Sequence, residues 1–253
     1  NKDWGTRAKV TLDTTTAGLE SKEALTQLVL PVRLHSGNFD FMAAKADGSD
    51  LRVVAGDDKT PLRFTLERFD SVNELGLLWV ALPSVAAEVP QVIHVYGGNP
   101  AANAEPSGNV FDGSFVTALH FAENDGPAVD AAGTLKSQAP VVRQPNGLLG
   151  SSAKLAGEPI VLPASERLKM AADAPVTLGL WVKADGAVQG TLMQWGPLKL
   201  SLLNGVAMAE LATLKASGGS VPPSTWAHVA VQSGGGKLTL FINGQRAAQA
   251  EGS

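Results

Sequence analysis

The segment Glu123-Asn124-Asp125 is the closest approach in this chain to a paired-carboxylate catalytic site. Retaining glycoside hydrolases use two carboxyl groups beside the scissile bond, one as the nucleophile and one as the acid. A strand carrying them as Glu-x-Asp-x-x-Glu would need its second glutamate where this chain has Ala128. Gly126 and Pro127 favour a turn rather than a strand. The segment therefore does not predict a glycosidase.

Other catalytic residue sets are incomplete as well. The sequence has no Gly-x-Ser-x-Gly elbow and no cysteine, so the usual nucleophiles and thiolate metal ligands are missing. Gly234-Gly235-Gly236-Lys237 lacks two required positions of a phosphate loop and predicts a hairpin turn. The histidines lie far apart and match no zinc spacing; they are His35, His94, His120 and His228. We therefore expect no enzymatic activity.

Two acidic loops are candidates for calcium, which prefers carboxylate and carbonyl oxygens. The first contains Asn124, Asp125 and Asp130. The second contains Asp47, Asp50, Asp57 and Asp58. Aspartates in such loops also cap turns by accepting backbone amide bonds, and we favour that interpretation for both loops. Calcium stays a possible ligand of Asn124, Asp125 and Asp130, and no other cofactor is expected.

Two tryptophans of the second half are candidate ligand-binding residues. Trp181 alternates out of phase with Leu178, Leu180 and Val182. If those three residues face the interior, Trp181 lies on the outer sheet surface, where a sugar ring or a partner chain can stack. The opposite assignment, with Trp181 inward, fits the pattern equally well. Trp195, beside a Gly-Pro turn, is the second candidate.

Two motifs of the first half combine aromatic residues with glycines and amides. They are Asn38-Phe39-Asp40-Phe41 and Tyr96-Gly97-Gly98-Asn99. Such a mixture suits a recognition site built from loops. It suits equally a set of buried turns whose amides bond the backbone. The candidate ligand-binding residues here are Asn38, Phe39, Tyr96 and Asn99.

Hydrophobic residues alternate with period two through much of the chain, which is typical of antiparallel strands. The clearest segments are 28–34, 92–96, 178–182 and 238–242. Asn-Gly and Asp-Gly pairs between such segments predict tight turns. Helical periodicity is weak, and segments 20–27 and 165–171 predict one or two helical turns at most. We therefore predict an all-β chain of two β-sandwich domains.

The stretch from Asn99 to Gly108 is the best candidate for a linker. It has two prolines and a glycine and no large apolar residue. We therefore place the domain boundary at about residue 108, with one domain over 1–108 and another over 109–253.

Composition limits the possible functions. The chain of 253 residues has a net charge of −4 and 17% charged residues, so no nucleic-acid partner is expected. The most apolar stretch, 75–87, is shorter than the roughly 20 residues needed to cross a bilayer. The chain starts at Asn1 rather than Met and shows no signal peptide, which we interpret as a processed start.

A series of motifs in the first hundred residues resembles a bacterial and archaeal export-associated domain family of unknown function. The motifs are Trp4-x-x-Arg7, Leu34-His35-Ser36-Gly37-Asn38-Phe39-Asp40-Phe41, Asp47-Gly48-Ser49-Asp50-Leu51-Arg52, Trp79-Val80-x-Leu82-Pro83 and Tyr96-Gly97-Gly98-Asn99.

The second half is similar to laminin G-like (concanavalin A-like) jelly rolls in two motifs. They are Ser224-Thr225-Trp226-Ala227-His228-Val229-Ala230-Val231 and Lys237-Leu238-Thr239-Leu240-Phe241-Ile242-Asn243-Gly244. This resemblance implies that Trp226 packs in the domain. It also implies one or two closing strands after the Asn-Gly hairpin, so we expect the second domain to be incomplete at its C-terminal end.

The run from Asn1 to Asn99 looks most like the large periplasmic portion attached to proton-channel subunits of the MotA/TolQ/ExbB class. This resemblance implies a non-catalytic recognition or assembly ectodomain of a membrane transport protein. It would lie in the periplasm, bind a protein or a glycan of the cell envelope, and oligomerise through membrane helices outside this chain. The first alternative is a carbohydrate-binding or adhesin-type secreted module. The second is a glucanase-like glycoside hydrolase.

Overall fold

The computed structural model describes residues 2–103, 108–111, 113–155, 157–171, 174–186 and 188–252. Regular structure in these residues consists of β-strands and one 3₁₀ turn, Glu166–Leu168. The named strands pair only in antiparallel fashion within the described chain. The prediction of an all-β fold is confirmed. The described residues include no helix with the length and apolar content that a membrane span requires.

Residues 1–163 and residues 164–253 form two compact units. The predicted boundary near residue 108 lies inside the first unit, and positions 104–107 of the predicted linker lie outside the described residues. The division into units differs from the predicted boundary because chain beyond the linker is buried on the first sandwich. Val110 and Phe111 form a small apolar cluster with Val29 and Trp79. Val110 and Phe111 follow the predicted linker in sequence, so the composition of the linker did not reveal this packing.

The first unit contains two three-stranded antiparallel sheets, with strand orders β1-β6-β3 and β2-β5-β4. The strands are β1 (Thr6–Asp13), β2 (Leu25–His35), β3 (Arg52–Ala55), β4 (Phe64–Asp70), β5 (Leu75–Val85) and β6 (Pro90–Gly97). A helical turn was expected over 20–27, but β2 begins at Leu25. Alternating apolar residues on β2 bury one face of the strand in the core, and its backbone pairs with β5. These interactions override the weak local helical preference.

The core of the first unit lies between these sheets. Val32 and Leu34 of β2 and Val95 of β6 contribute fully buried side chains. Phe39 and Phe41, from the loop after β2, join them in this core. The rings of Phe39 and Phe41 meet edge to face with their centroids 5.3 Å apart, a favourable aromatic geometry. The loop is therefore held by burial of its aromatic side chains.

Asp50 fixes the loops at one end of this sandwich through backbone hydrogen bonds. Its side chain is completely buried. Oδ1 accepts from the Lys45 amide at 3.0 Å, and Oδ2 accepts from the Gly98 amide at 2.6 Å and the Asn99 amide at 3.2 Å. A buried carboxylate is costly unless such donors satisfy it. Asp50 therefore links the loop before β3 to the chain that leaves β6.

The rest of the first unit adds two short two-stranded sheets. Their strands are β7 (Pro127–Val129), β8 (Lys136–Pro140), β9 (Arg143–Gln144) and β10 (Ser152–Ala153). Glu123 braces this region, because its carboxylate accepts from the Arg143 guanidinium at 2.6 Å and from the Val129 amide at 2.7 Å.

The second unit is a sandwich of two four-stranded antiparallel sheets, with orders β11-β16-β17-β18 and β12-β13-β14-β15. The strands are β11 (Val176–Lys183), β12 (Gly190–Trp195), β13 (Leu198–Leu203), β14 (Val206–Leu211), β15 (Leu214–Ser220), β16 (Trp226–Gly234), β17 (Lys237–Ile242) and β18 (Gln245–Glu251). The inward rows of both sheets form one apolar core, which includes Leu200, Val229 and Leu240, each with no exposed surface. The two-sandwich prediction is confirmed.

Tight turns connect strands of the second unit where the sequence predicts them. Asn204 and Gly205 have φ values of 52° and 79° between β13 and β14. Asn243 and Gly244, with 50° and 79°, do the same between β17 and β18. Positive φ at both central residues is what a type I′ hairpin turn requires. Residues 234–236 form the predicted glycine hairpin between β16 and β17.

We expect Asp50→Ala to destabilise the first unit by roughly 3 kcal/mol, because three partly buried amides would lose their acceptor. Chemical denaturation followed by amide hydrogen exchange at Gly98 and Asn99 measures this effect. Asp47→Ala is the control, since Asp47 is exposed and accepts within its own turn, from the Ser49 amide at 3.0 Å. Equal losses of stability in the two variants would contradict the structural role assigned to Asp50.

Candidate functional site

The outer face of the sheet β11-β16-β17-β18 carries the most prominent exposed aromatic group of the second unit. Val176, Leu178, Leu180 and Val182 of β11 pack toward the core. Because side chains alternate along a strand, Trp181 lies on the opposite face, where 51% of its surface is exposed. The prediction had left both orientations open, and the structure places Trp181 outward.

Two cross-strand pairs extend this surface along β11 and β16. Trp181 lies opposite His228, and their ring centroids are 5.3 Å apart. Lys183 lies opposite Trp226, with its Nζ 5.5 Å from the centre of the indole ring. Such an arrangement permits a cation–π contact. Trp226 is half-buried on this outer face, where its ring packs beside Lys183.

We call this surface the aromatic face. It is the outer side of β11, β16, β17 and β18, and it contains Thr177, Gly179, Trp181, Lys183, Trp226, His228, Ala230, Gln232, Lys237, Thr239, Phe241, Arg246, Gln249 and Glu251. Gly179, Ala230, Phe241 and Arg246 lie side by side across the four strands. Gly179 has no side chain, and the imidazole of His228 lies over it, with Nε2 3.2 Å from where a Cβ of Gly179 would be.

Polar groups border the aromatic rings. Arg246 donates from Nη1 to Gln249 Oε1 at 3.4 Å. Lys237 and Glu251 form an ion pair with a distance of 3.0 Å between Nζ and Oε1. The face therefore combines a flat apolar area with donors and acceptors at its rim, a combination typical of ligand-binding surfaces.

The imidazole of His228 packs against Trp181 and is partly buried. Burial of the imidazole lowers the pKa of His228 below its ordinary value. The backbone amide of His228 is held by Asn243, whose Oδ1 accepts from it at 2.8 Å. The ring is thus oriented at the centre of the aromatic face.

Trp195, the other predicted ligand-binding tryptophan, is held within its own unit. It lies half-buried at the end of β12, and its Nε1 donates to the carbonyl oxygen of Leu168. This bond joins the strand to the 3₁₀ turn Glu166–Leu168. The geometry therefore gives Trp195 a structural contact and does not place it on the aromatic face.

The candidate residues Asn38 and Phe39 lie together but differ in exposure. Phe39 is buried in the core of the first unit, yet it and Asn38 both line an open polar pocket. The other lining residues are Thr6, Ser36, Gly37, Asp40 and Glu74. Asn38 is exposed, and its amide closes the turn after β2 by accepting from the His35 amide at 2.9 Å and donating to the Arg33 carbonyl at 3.1 Å. These contacts match the interpretation of the motif as a turn bonded to the backbone.

Tyr96 and Asn99 are likewise engaged within the first unit. Tyr96 is buried and donates its hydroxyl hydrogen to Asp58 Oδ1 at 2.6 Å. Burial and this bond raise the pKa of Tyr96, and the same bond lowers the pKa of Asp58. Asn99 Oδ1 accepts from the Ala101 amide at 3.0 Å. Both residues therefore stabilise the fold.

Motif residues far apart in sequence meet on the outer face of β1-β6-β3. Arg7 donates from Nε to His94 Nδ1 at 3.2 Å and forms an ion pair with Asp58 at 3.9 Å. Trp4 packs beside Tyr96 with ring centroids 5.8 Å apart. Burial lowers the pKa of His94, and the nearby Arg7 adds to the effect. Sequence reasoning did not find this network, because its members meet only when β1 pairs with β6.

The acidic residues of the second calcium candidate each bond to nearby protein groups. Asp57 accepts from the Thr60 hydroxyl and from the Thr60 and Lys59 amides. These bonds, the hydroxyl first, lower the pKa of Asp57 to about 2. Asp47 accepts the Ser49 amide, and Asp58 accepts the Tyr96 hydroxyl. The turn-capping interpretation fits Asp47 and Asp57. Asp58 instead bonds the side chain of Tyr96, and Asp50 accepts amides from two separate loops.

The first calcium candidate is also not assembled as a cluster of ligands. Asn124 and Asp125 are exposed, whereas Asp130 is buried. Asp130 Oδ1 accepts from the amides of Ala118 at 2.8 Å and Ala132 at 3.0 Å. No group of three His, Cys, Asp or Glu side chains suited to a metal occurs within the described ranges. Calcium binding at these residues stays a prediction.

One further polar cluster, centred on Glu67, was missed by sequence reasoning. Glu67 Oε2 contacts His120 Nδ1 at 2.9 Å and also accepts from Trp79 Nε1. Trp79 and His120 stack with their ring centres 4.4 Å apart. The three residues lie on separate segments, so no local motif could have identified them. The contacts anchor the chain around residue 120 to the outer face of β5.

The first unit also has an open cleft of about 360 Å³ at one end of its sandwich. It is lined by Val10, Leu12, Leu30, Ala55, Gly56, Thr60, Leu62, Leu82, Pro83, Ser84, Gln91, Val92 and Ile93. This lining contains no acid, base or thiol, so the cleft offers none of the groups on which general acid–base catalysis depends.

Comparisons with known proteins give limited information about this chain. Residues 47–130 match the family model described as a domain of unknown function (DUF2341). A solved structure of the mouse laminin alpha1 chain, domains LG4-5, is similar over 98% of this chain and 78% of that chain. That similarity has 10% sequence identity and a TM-score of 0.30. No curated protein matches the sequence.

The family match confirms part of the resemblance inferred from the motifs. It extends over 47–130 and so includes the Asp47–Arg52, Trp79 and Tyr96 motifs. It assigns a domain of unknown function and supplies neither a ligand nor a reaction. The association with proton-channel subunits stays a prediction.

We expect Trp181→Ala to raise the pKa of His228 toward its usual value of about 6.5, because removal of the indole exposes the imidazole to water. NMR titration of the His228 ring protons measures the pKa in both proteins. Trp195→Phe serves as the control, since that indole bonds to Leu168 instead. An unchanged His228 pKa in Trp181→Ala would contradict the assigned cause.

Because the folded state favours neutral His228, its contribution to stability is present above about pH 6.5, the ordinary pKa. That contribution is lost as the pH falls through the lowered folded-state pKa. Acidification should therefore weaken the second unit, and His228→Asn should reduce this pH dependence. Urea denaturation of both proteins at pH 7.5 and at pH 5 measures this pH dependence. The two values lie near the ends of the range over which histidine titrates.

Proposed function

We propose that this chain is the non-catalytic ligand-binding part of a cell-envelope protein and that its second unit binds a glycan through the aromatic face. The observation that carries the proposal is the outward position of Trp181 on a flat sheet beside His228. An exposed indole presents an apolar ring on which the C–H side of a sugar ring can stack, and its N–H can still donate a hydrogen bond.

The surroundings of Trp181 support recognition of a glycan. The His228 ring packs beside the indole and lies over Gly179, so the two rings offer one continuous surface to a sugar ring. Thr177 and Gln232, which lie opposite each other, provide hydroxyl and amide groups for sugar hydroxyls. Both sandwiches are rigid supports whose strands fix the position of such groups, and sites on strands are positioned more precisely than sites on loops.

A non-catalytic role is supported by the contacts of the acidic residues. Glu123, the best candidate for a catalytic acid, is engaged by Arg143 and the Val129 amide. Burial opposes its ionisation, but the bonds from Arg143 and backbone amides outweigh burial and lower the pKa of Glu123. A glycosidase acid needs the opposite shift, a raised pKa that keeps it protonated. Binding without hydrolysis is the better account.

The cellular setting proposed is the periplasm or the outside of a bacterial cell. The support for this setting is the resemblance of the motifs in the first hundred residues to an export-associated family. We further propose that the parent is an inner-membrane protein related to the MotA/TolQ/ExbB proton-channel class. In such a parent, helices outside this chain would provide oligomerisation, and this chain would contact a glycan or protein of the envelope.

Trp181→Ala is expected to weaken glycan binding about tenfold, because an aromatic stacking contact contributes roughly 1 to 1.5 kcal/mol. Biolayer interferometry against immobilised neutral and acidic polysaccharides provides the measurement. Trp181→Phe should retain part of the affinity, since it keeps an aromatic ring on the aromatic face.

Met42→Ala is a matched control, because Met42 is an exposed apolar side chain of the first unit. It should bind as the unchanged protein does. The proposal is overturned if no polysaccharide of the panel binds, or if Trp181→Ala binds every bound polysaccharide as well as the unchanged protein does.

We also expect no release of reducing ends from a panel of β-glucans, whether the chain carries Glu123 or the variant Glu123→Gln. The reason is that the bonds from Arg143 and the Val129 amide lower the pKa of Glu123, whereas a glycosidase acid needs a raised pKa. A reducing-end assay with a known glucanase as positive control measures this. Activity that disappears in Glu123→Gln would support the glucanase alternative.

Assembly with other chains is the second candidate, and the edge position of β11 favours it. β11 ends its sheet, and its inward residues are only half-buried, whereas Ala227, Val229 and Val231 of neighbouring β16 are fully buried. An uncovered edge strand can pair with an added strand. This fits the expectation that the second domain lacks closing strands, which stays a prediction. Mass photometry shows whether the chain self-associates.

A further inference from the structure

We infer that the glycan bound by the aromatic face is an extended anionic polysaccharide whose carboxylates pair with Lys183 and Arg246. This inference rests on the proposed function and specifies its ligand class. Its basis is the excess of positive charge on the four strands of the face and the distance between Lys183 and Arg246.

Positive charge exceeds negative charge on the aromatic face. Strands β11, β16, β17 and β18 contain Lys183, Lys237 and Arg246 and a single carboxylate, Glu251. Lys237 and Glu251 neutralise each other at 3.0 Å. Within the described residues, neither Lys183 nor Arg246 forms an ion pair, and both are exposed. Two cations thus remain available on the face.

The overall charge of the chain does not attract polyanions, so the local excess of positive charge on the aromatic face stands out. The net charge is −4, so attraction to a polyanion through overall charge is not expected. A polyanion that binds must therefore contact a local cationic area. Lys183 and Arg246 lie on the same face as Trp181, so ionic contacts and ring stacking can be made by one ligand.

The separation of the two cations requires a polymer. Lys183 is on β11 and Arg246 is three strands away on β18. With about 4.8 Å between strands and about 3.3 Å per residue along them, the two Cα atoms lie roughly 20 Å apart. Trp181 and His228 lie on the path between these ends. A single sugar cannot span that distance, whereas a chain of sugars crossing the strands can contact both cations and stack on Trp181.

Arg246 lies beside Phe241 and is set against Gln249, an arrangement that leaves planar donors for a carboxylate. Lys183 stands over the Trp226 ring and provides a point charge at the opposite end. An acidic peptide would supply carboxylates too, but it lacks the flat C–H surface that an exposed indole binds in a sugar. The aromatic face therefore favours an acidic polysaccharide over an acidic protein.

The test compares polygalacturonate with its methyl-esterified form, which has the same sugar backbone without the charge. The whole chain should bind polygalacturonate more tightly by about tenfold, with two- to fivefold contributed by each exposed ion pair. Raising NaCl from about 0.02 M to about 0.5 M should remove this preference, because salt screens exposed charges. Biolayer interferometry with each polymer immobilised gives the dissociation constants.

Variants identify the groups responsible. The double variant Lys183→Gln with Arg246→Gln should lose the preference and bind both polymers alike. Lys169→Gln with Lys215→Gln is the matched control, since it removes two exposed cations of the same unit that already pair with Glu166 and Glu210. The control should keep the preference.

Two outcomes would overturn the inference and leave the proposed function standing. In the first, the methyl-esterified polymer binds as tightly as polygalacturonate or more tightly, and Trp181→Ala abolishes that binding. The other is an equal loss of the preference in the control double variant. Binding of poly-glutamate as tight as that of polygalacturonate would also overturn it, in favour of an acidic protein partner. If neither polymer binds and neutral glycans also fail, the proposed function itself is wrong.

Discussion

The burial of alternating apolar rows between facing sheets is the constraint on which both units depend. Side chains of a strand point to opposite faces in turn, so one buried row fixes the direction of every residue on that strand. In the second unit, Leu178, Leu180 and Val182 pack on a core that contains Val229 and Leu240. Trp181 and Lys183 are placed outside as a consequence. A shift of one residue in register would bury the indole and the ammonium group and expose three aliphatic side chains.

The loops of the first unit depend on a different interaction, in which buried polar groups are satisfied by the backbone. Asp50 accepts three amides from two separate loops, and Asn38 closes the turn after β2. These side chains resemble parts of a recognition site in sequence, because carboxylates and amides also bind ligands. Their bonds to the backbone use the same oxygen and nitrogen atoms that a ligand would need. These contacts therefore give Asp50 and Asn38 a structural role in the first unit.

The aromatic face follows from neighbouring strands whose outward residues come into register. His228 meets Trp181, and Trp226 meets Lys183, only because β16 pairs with β11 in this alignment. Phe241 and Arg246 are brought alongside by the next two strands. The resulting surface carries aromatic rings and cations that form no ion pair within the described residues. The cores of the two units consist of apolar side chains.

The sequence alone was enough to predict the all-β class, the strands that contain segments 28–34 and 238–242, and the Asn243-Gly244 turn. Period-two alternation and positive-φ turn residues are local properties, so they can be recognised without knowing the partner strands. The side of the sheet on which Trp181 lies could not be decided locally, because a strand pattern defines two faces without saying which is buried. The Arg7–His94–Asp58 network and the Glu67 cluster were also beyond reach, since their members are distant in sequence. Tertiary structure decided these features, because strand pairing and core packing determine which distant residues become neighbours.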